Sequence, residues 1–246
     1  MESNEFYFCS LWTEHLKIRN CADILVNEKL TQDYFFNRLT NMTCRDIGSA
    51  IDECLRIFLN KGTNCYVYVT DDNRKLESIL LKKRFTLVDS MSVLRSSISN
   101  NIEYDNKIID VIKIDGDSIP IWVDVFCHAF DVLDWKCEVE RIIKSHFKEL
   151  TLLLSFLNNK NSIPAGCAAL FNRSSLIGLY CLGTLPAFRG QGIATKMIKV
   201  ALGIAQRRQL NFIFLQAFAN EGFISFYNKI GFQTLYKKKI YAFLKE

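Results

Sequence analysis

A glycine-rich segment between a predicted strand and a predicted helix constrains this chain more than any other feature. From residue 186 it reads Pro-Ala-Phe-Arg-Gly-Gln-Gly-Ile-Ala. The apolar run 176–185 before it predicts a strand, and the periodicity of residues 195–208 after it predicts an amphipathic helix. The first turn of a helix carries unpaired N–H groups at the positive end of its dipole, and glycine lets an anion approach the backbone closely. The segment therefore predicts an anion-binding loop.

Spacing excludes two kinds of nucleotide-binding fold that also use glycine loops. A dinucleotide fold has Gly-x-Gly-x-x-Gly after its first strand and an acidic residue about 20 positions later. Here the loop follows the fourth predicted strand of its domain, and the third glycine is missing. A Walker-type loop needs Gly-Lys-Ser or Gly-Lys-Thr, whereas Ile193 follows Gly192.

Composition places the chain among ordinary globular proteins. Its 246 residues suffice for one large domain or two small ones, and 49% are hydrophobic and 23% charged. The net charge of +5 suits an anionic ligand but is too small and dispersed to indicate a nucleic-acid partner. No apolar segment approaches the roughly 18 residues of a transmembrane helix, and the N-terminus is acidic where a signal peptide is basic. We therefore expect a cytoplasmic protein with no nucleic-acid or membrane partner.

The nine cysteines are scattered, form no Cys-x-x-Cys pair and lie far from the three histidines. This pattern predicts neither a zinc site nor a disulfide framework. Cys65, Cys167 and Cys181 lie inside apolar runs and are interpreted as small buried hydrophobic residues. For Cys181 a second interpretation is that it lies near the ligand, because it is on the strand that leads into the glycine loop.

The pattern of the second half predicts alternating strands and helices. The predicted strands are 108–114, 151–157, 163–171, 176–185, 212–218 and 231–243, and the predicted helices are 121–133, 138–147, 195–208 and 221–230. Residues 158–161 have the composition of a hairpin turn, and the polar segment 95–107 that of a linker. We accordingly divide the chain into domains 1–100 and 101–246.

The first half ends in the same order of elements as the second. A predicted strand (65–69), helix (74–83) and strand (85–93) repeat the order found in 212–243, and two helical patterns lie between residues 30 and 64. No glycine loop occurs there. We interpret this as an internal repeat whose first copy lacks the anion-binding loop. Chance similarity is the alternative, since strand–helix–strand units are common.

The second half resembles the GCN5-related N-acetyltransferase (GNAT) family over residues 108–246. The family signature Arg/Gln-x-x-Gly-x-Gly/Ala is matched by Arg189, Gly192 and Ala194, and residues 183–190 look like the family's fourth strand and the turn after it. Two signatures in the correct order are more specific than one.

The second signature, Asn-(x)6-Tyr-(x)3-Gly-Phe, is matched by Asn220, Tyr227 and the pair 231–232. Phe223 departs from the pattern, because the family usually has a small residue there. The resemblance implies the GNAT fold, a mixed α/β (α+β) class. Its central twisted sheet is mostly antiparallel, flanked by helices and splayed at the fourth and fifth strands. Two such domains in tandem are expected, the N-terminal one degenerate.

The resemblance also implies a cofactor, acetyl-coenzyme A as co-substrate, with no metal. In the family the pyrophosphate lies on the glycine loop and the pantetheine arm follows the fourth strand, where a backbone amide polarises the thioester carbonyl. The residues that correspond here are Leu182, Gly183, Thr184, Arg189, Gly190, Gln191, Gly192, Ile193, Ala194 and Asn220.

The resemblance implies that an amine attacks the thioester directly and that Tyr227 is the general acid. Asn220 and Tyr227 are two helical turns apart, so they face the same side, beside the fourth strand, if they share a helix. That strand carries no carboxylate. Asp124, Asp131 and Asp134 either line the acceptor side or form the polar face of a helix, and we assign no general base.

Each assignment has a structural alternative. The glycines could serve only a tight turn, Asn220 could be a helix N-cap, and Tyr227 could be a packed aromatic residue. Arg189 could be a solvated cation rather than a phosphate ligand. The run 237–239 of three lysines is interpreted as an exposed sheet edge.

These observations predict an N-acetyltransferase that acts on a primary amine of a small molecule or peptide, as a monomer or homodimer. A non-catalytic sensor that binds acyl-coenzyme A is the alternative from another class. An interaction module that has lost the ligand is a third possibility, disfavoured by the intact loop.

Overall fold

A computed structural model describes residues 1–31, 33–98, 108–157, 162–173 and 175–244. Its helices and strands follow in chain order: α1 (Glu2–Trp12), β1 (Glu14–Ile18), β2 (Ala22–Val26), β3 (Arg38–Thr40), α2 (Ile47–Asn60), β4 (Cys65–Thr70), α3 (Arg74–Lys82), β5 (Thr86–Ser97), β6 (Ile109–Lys113), α4 (Ile119–Phe130), α5 (Lys136–His146), β7 (Leu150–Leu157), β8 (Ile163–Arg173), β9 (Leu176–Thr184), α6 (Ile193–Arg207), β10 (Phe212–Phe218), α7 (Ile224–Lys229) and β11 (Gln233–Phe243).

The chain forms two compact units, each built from separate stretches of sequence. The first unit comprises residues 1–5, 95–215 and 228–233, and the second comprises 6–94, 216–227 and 234–246. The division into domains 1–100 and 101–246 stays a prediction. The mixed α/β class is confirmed in both units.

The sheet of the first unit has the order β10-β9-β8-β7-β6. Strands β6 to β9 pair antiparallel, whereas β9 and β10 pair parallel at Ile177–Ile213 and Gly178–Phe214. Both pairs lie near the starts of the strands, while β9 stays paired with β8 up to Thr184. The splay expected between the fourth and fifth strands of this unit is therefore present, since in the described ranges β10 pairs with β9 only near the start of both strands.

Helix α4 anchors the core of the first unit. Trp122 and Phe126 stack with ring centroids 5.4 Å apart, and the Trp122 indole N–H donates to the Ala168 carbonyl of β8 over 3.1 Å. Phe130, the next residue on this face, lies 4.8 Å from Phe126 but is 39% exposed. The helix predicted at 121–133 is present as α4, and its aromatic face packs in the core with its last residue, Phe130, at the surface.

The sheet of the second unit has the order β1-β2-β3-β4-β11-β5. Strands β3 and β4 are parallel, and β11 pairs antiparallel with β4. Helices α2 and α3 cover the sheet through buried Ile51, Phe58 and Leu80. Asp46 caps α2 by accepting the Ser49 N–H, which satisfies one free donor of the first turn. The predicted order strand, helix, strand is confirmed as β4, α3 and β5.

The structure overturns the interpretation of the lysine run 237–239 as an exposed edge. Strand β11 lies between β4 and β5, and Lys238 is 2% exposed. Its ammonium lies over the rings of Tyr68 (5.6 Å) and Tyr236 (6.0 Å). Cation–π contacts and the aliphatic stem let this lysine lie inside the unit.

Two further expectations about local structure are wrong. Only α2 forms among the described residues between 30 and 64, because β3 occupies the start of that region. The predicted linker begins too early, since residues 95–97 continue β5. The rest of the linker, 99–107, and the predicted hairpin turn 158–161 lie outside the described residues.

Cys21 and Cys44 form a disulfide with an S–S distance of 2.06 Å. The expectation of no disulfide framework is wrong for this pair, because the two cysteines lie 23 positions apart and no sequence motif marks them. Cys65 and Cys167 are buried, as predicted, and Cys181 is half-buried. No helix in the described residues is long and apolar enough to cross a membrane.

Candidate functional site

The glycine loop joins β9 to α6 through a 3₁₀ turn at Pro186–Phe188. Gly190 (φ 77°) and Gly192 (φ 87°) both have left-handed backbone conformations, which favour glycine. A Cβ at Gly190 would meet nothing within 4 Å, so backbone conformation rather than crowding selects glycine there. The turn interpretation and the anion-binding interpretation are therefore compatible.

The first turn of α6 offers free backbone donors. Gly192 is the N-cap and, lacking a side chain, makes no side-chain hydrogen bond to the turn. The helical hydrogen bonds start with the Lys196 N–H, which donates to the Gly192 carbonyl over 3.0 Å. The amides of Ile193 and Ala194 precede that bond, at the positive end of the helix dipole. These amides can donate hydrogen bonds to a phosphate group.

The Arg189 side chain ties the loop to the rest of the first unit. Its Nε donates to the Thr184 carbonyl at the end of β9 over 3.3 Å, and its Nη2 donates to the Ala129 carbonyl over 3.0 Å. Ala129 lies in the last turn of α4, where carbonyls lack helical partners and favour a cation. The guanidinium is thus bound to backbone rather than merely solvated. Its contact with phosphate stays a prediction.

A β-bulge interrupts the pairing of β9 with β8. Cys167 pairs with Gly183 and Ala169 with Tyr180, so Cys181 and Leu182 together face a single residue of β8. Cys181 has φ 51°, a left-handed conformation that is strained for a residue with a side chain. Bulges redirect backbone groups and are common beside active sites. Nothing in the sequence marks this bulge, because the strained residue is not glycine.

Gly183 allows α4 to pack closely on β9. A Cβ at this position would lie 2.8 Å from the Ala129 Cβ and 2.9 Å from Phe130 Cε2. The Ala129 Cβ is bonded directly to the backbone of α4, so it cannot withdraw unless the helix moves. Gly183 therefore has a structural role in addition to its predicted contact with the pantetheine arm.

Asn220 and Tyr227 lie in the second unit, and they do not share a helix, so the condition under which they would face the same side is not met. Residues Ala219–Glu221 form a 3₁₀ turn that ends at Gly222 (φ 73°), and α7 begins only at Ile224. Asn220 therefore does not cap the helix. Its backbone N–H donates to Asp89 Oδ1, and its side-chain amide donates to the Val88 carbonyl, both over 3.3 Å.

Tyr227 is 9% exposed and lies on α7. Burial raises the pKa of its hydroxyl well above the usual value, and the negative charge of Glu221 raises it further. The hydroxyl therefore keeps its proton at neutral pH, as a proton donor must. Phe223, which departs from the family pattern, is 49% exposed.

Sequence analysis missed a group of carboxylates in the second unit. Burial raises the pKa of Glu221 above its usual value, and the charges of Asp89 and Asp33 contribute. Burial also raises the pKa of Asp33, to about 6, although its Oδ1 accepts the N–H groups of Phe35 (2.6 Å) and Phe36 (3.1 Å). These acids are far apart in sequence, so no spacing could have indicated that their charges interact.

The three aspartates considered for the acceptor side have other roles in the structure. Asp124 forms an exposed ion pair with Lys136 over 2.7 Å, and Asp131 is the left-handed C-cap of α4. Asp134 lies in a 3₁₀ turn after that helix. The polar-face interpretation is favoured for Asp124. In the part of the chain that the structure describes, no three His, Cys, Asp or Glu side chains group so as to hold a metal ion.

Several solved structures with a similar fold carry the name of the GCN5-related N-acetyltransferase (GNAT) family. A GCN5-related N-acetyltransferase from Sphaerobacter thermophilus aligns with a TM-score of 0.73 and 12% identity, covering 90% of this chain and 75% of that one. Another from Kribbella flavida aligns with a TM-score of 0.70 and 12% identity, covering 99% and 94%. A tandem GNAT protein from the clavulanic acid biosynthesis pathway gives 0.59 and 8%, covering 84% and 74%. At sequence identities this low, the likeness shows only that these proteins share a fold with this chain.

Comparison with curated proteins finds no match to this chain. A family model, in contrast, matches part of the sequence. The model of the acetyltransferase (GNAT) family matches residues 122–232, a region that contains the glycine loop, the bulged strand and Tyr227. Residues 122–232 are therefore similar to the acetyltransferase (GNAT) family, and the chain has the fold of solved structures that carry this family name, among them a tandem form.

Proposed function

We propose that this protein is an acetyl-coenzyme A-dependent N-acetyltransferase that acylates a primary amine by direct attack. One observation carries the proposal: the splayed, bulged strand β9 leads into a two-glycine loop whose helix offers uncapped amides. This arrangement fits an extended ligand with a pyrophosphate at one end and a reactive group further along the strand. The acceptor, a small molecule or a peptide amine, stays a proposal.

The residues present fit the coenzyme. The amides at the start of α6, which no side chain caps, fit its pyrophosphate, and the end of β9, beyond its pairing with β10, fits its extended arm. We assign the holding contacts to the segments 182–184 and 189–194. When bound, the coenzyme supplies an acyl group activated as a thioester.

The backbone of β9 supplies electrostatic stabilisation in this proposal. The bulge at Cys181 and Leu182 turns one stretch of backbone out of the regular ladder, so an amide there can donate to the oxygen on which negative charge develops. Removing one such donor typically costs about 100-fold in rate.

Tyr227 is the proposed source of the proton that the leaving sulfur needs. The new N–C bond forms as the C–S bond breaks, the amine releases its proton to water, and the sulfur receives a proton from Tyr227, which regains one from water. Burial raises the pKa of Tyr227, so its hydroxyl stays protonated at neutral pH and can donate a hydrogen bond to the leaving sulfur.

Calorimetry with acetyl-coenzyme A, followed by a screen of amines with detection of free thiol, tests the proposal. We expect Arg189→Glu to abolish binding, since it reverses a charge and breaks the bonds to Thr184 and Ala129. Tyr227→Phe should retain binding and slow turnover by about 100-fold. Arg207→Ala, on the exposed end of α6, is the matched control and should change neither.

Two results would contradict the proposal. If folded protein gives no binding heat with acetyl-coenzyme A, the coenzyme is not its ligand. Tight binding without thiol release from any amine supports the alternative, a non-catalytic acyl-coenzyme A sensor.

A further inference from the structure

A cavity of about 260 Å³ lies in the first unit, away from the glycine loop. The end of β5, the middle of α6 and the start of β11 form its walls. Its polar lining consists of Arg95, Ser96, Ser97, Lys199 and Gln233, and Leu202 forms part of the apolar wall. This volume is several times the roughly 30 Å³ that one water molecule occupies in the liquid. The cavity therefore has room for a small polyatomic group.

The charge of this cavity is unbalanced. Arg95 and Lys199 are both half-buried, and no aspartate or glutamate is among its lining residues in the described ranges. Neither cation forms an ion pair with a carboxylate of those ranges. Two partly desolvated cations without a counter-charge favour an anion.

The geometry of the lining also suits an anion with several acceptor oxygens. The Arg95 guanidinium lies 5.3 Å from the centroid of the Phe212 ring, a contact that restricts it without using its N–H groups. Ser96 is 5% exposed, and Ser97 and the Gln233 amide add further donors. At 3.4 Å the bond from the Ser96 hydroxyl to the Ser97 carbonyl is long, so this hydroxyl can turn to a better acceptor.

We propose that this cavity binds a phosphate group. A phosphate monoester carries nearly two negative charges and three acceptor oxygens, which match two cations and three neutral donors better than a carboxylate does. Lys199 lies about 9 Å along α6 from Ile193 at 1.5 Å per residue, so the cavity is distinct from the first-turn amides.

Two sources could supply this phosphate. One is the 3′-phosphate on the ribose of coenzyme A, and this source rests on the proposed function. The other is a separate small phosphate ester. Both place the same chemical group between Arg95 and Lys199, and the ligands used in the test distinguish them.

The first experiment measures inorganic phosphate binding by calorimetry, against chloride at matched ionic strength. We expect Lys199→Met and Arg95→Gln each to weaken binding by about tenfold, the effect of losing one charge-assisted hydrogen bond. Arg207→Ala, a cation on the same helix outside the cavity, should have no effect. Circular dichroism confirms that each variant is folded. Phosphate binding equal in wild type and both cavity variants, or no binding to wild type, would overturn the proposal.

The second experiment compares coenzyme A with 3′-dephospho-coenzyme A. A preference of about tenfold for coenzyme A, lost in Lys199→Met, supports the proposal and identifies the coenzyme as the source. Equal affinity for coenzyme A and 3′-dephospho-coenzyme A, together with inorganic phosphate binding that requires Lys199, also supports the proposal. In that case the phosphate comes from a separate small ester. If this cavity binds no phosphate, acetyl-coenzyme A can still bind at the glycine loop. Failure of this proposal is therefore distinguishable from failure of the proposed function.

Discussion

At the scale of single residues, Asp33 shows how burial changes a side chain that looks ordinary in sequence. Its pKa is raised from 3.8 to about 6, so the folded protein holds a proton that the unfolded chain releases. Stability should therefore decrease as pH rises from about 4 to 6, with the full loss present above pH 6. We expect Asp33→Asn, which keeps the oxygen that accepts from Phe35 and Phe36, to stabilise the protein at pH 7 by roughly 1 to 3 kcal/mol.

Urea denaturation of wild type and variant at pH 4 and pH 7 measures this difference. Because other groups titrate in the same window, the informative quantity is the variant-minus-wild-type difference at each pH. Asp71→Asn, at an exposed position, is the control and should show no such change. A gain at pH 4 as large as that at pH 7 would contradict the assignment.

At the scale of elements, the contact of α4 with β9 depends on the absence of a side chain at Gly183. We expect Gly183→Ala to destabilise the protein by about 1 to 3 kcal/mol, because the new Cβ would lie 2.8 Å from that of Ala129. Thermal unfolding measures the loss. Ala129→Gly in the same chain should recover part of it, since it removes one of the clashing atoms.

Gly116→Ala is the matched control for this prediction, since a Cβ there meets nothing within 4 Å. Equal destabilisation by the two alanine substitutions would show that the contact with α4 is not the cause. The double variant separates the contact energy from the individual effects of the two changes.

At the scale of the whole molecule, the Cys21–Cys44 disulfide acts on the unfolded chain. It closes a loop between residues 23 positions apart, which reduces the entropy gained on unfolding. We expect replacement of both cysteines by serine to lower the free energy of unfolding by about 3 kcal/mol. Urea titration without reductant measures the change, and reduction of the wild type should reproduce it. Cys137→Ser, an exposed free cysteine, should leave stability unchanged; equal midpoints for oxidised and reduced protein would contradict the prediction.

Strands and helices with clear periodicity were predictable because local pattern determines them. Strand β10 agrees at both ends with the predicted 212–218, and α6 differs from its prediction by two residues at the start and one at the end. The helix predicted at 221–230 is present but begins later, at Ile224, because Gly222 adopts a left-handed conformation that ends a 3₁₀ turn. The buried Lys238 also escaped prediction, since charge alone suggests exposure and only the neighbouring strands show otherwise.

The sequence by itself determined the position of the glycine loop and the resemblance to the family, because strand, glycines and helix start are contiguous and their chemistry is local. Tertiary structure decided what depends on residues brought together from distant parts of the chain. It joined Cys21 to Cys44, tied Arg189 to the end of α4, placed the charges of Asp33 and Asp89 near Glu221, and left Arg95 and Lys199 around one cavity. Pairwise contacts over such separations follow from packing, which no local pattern encodes.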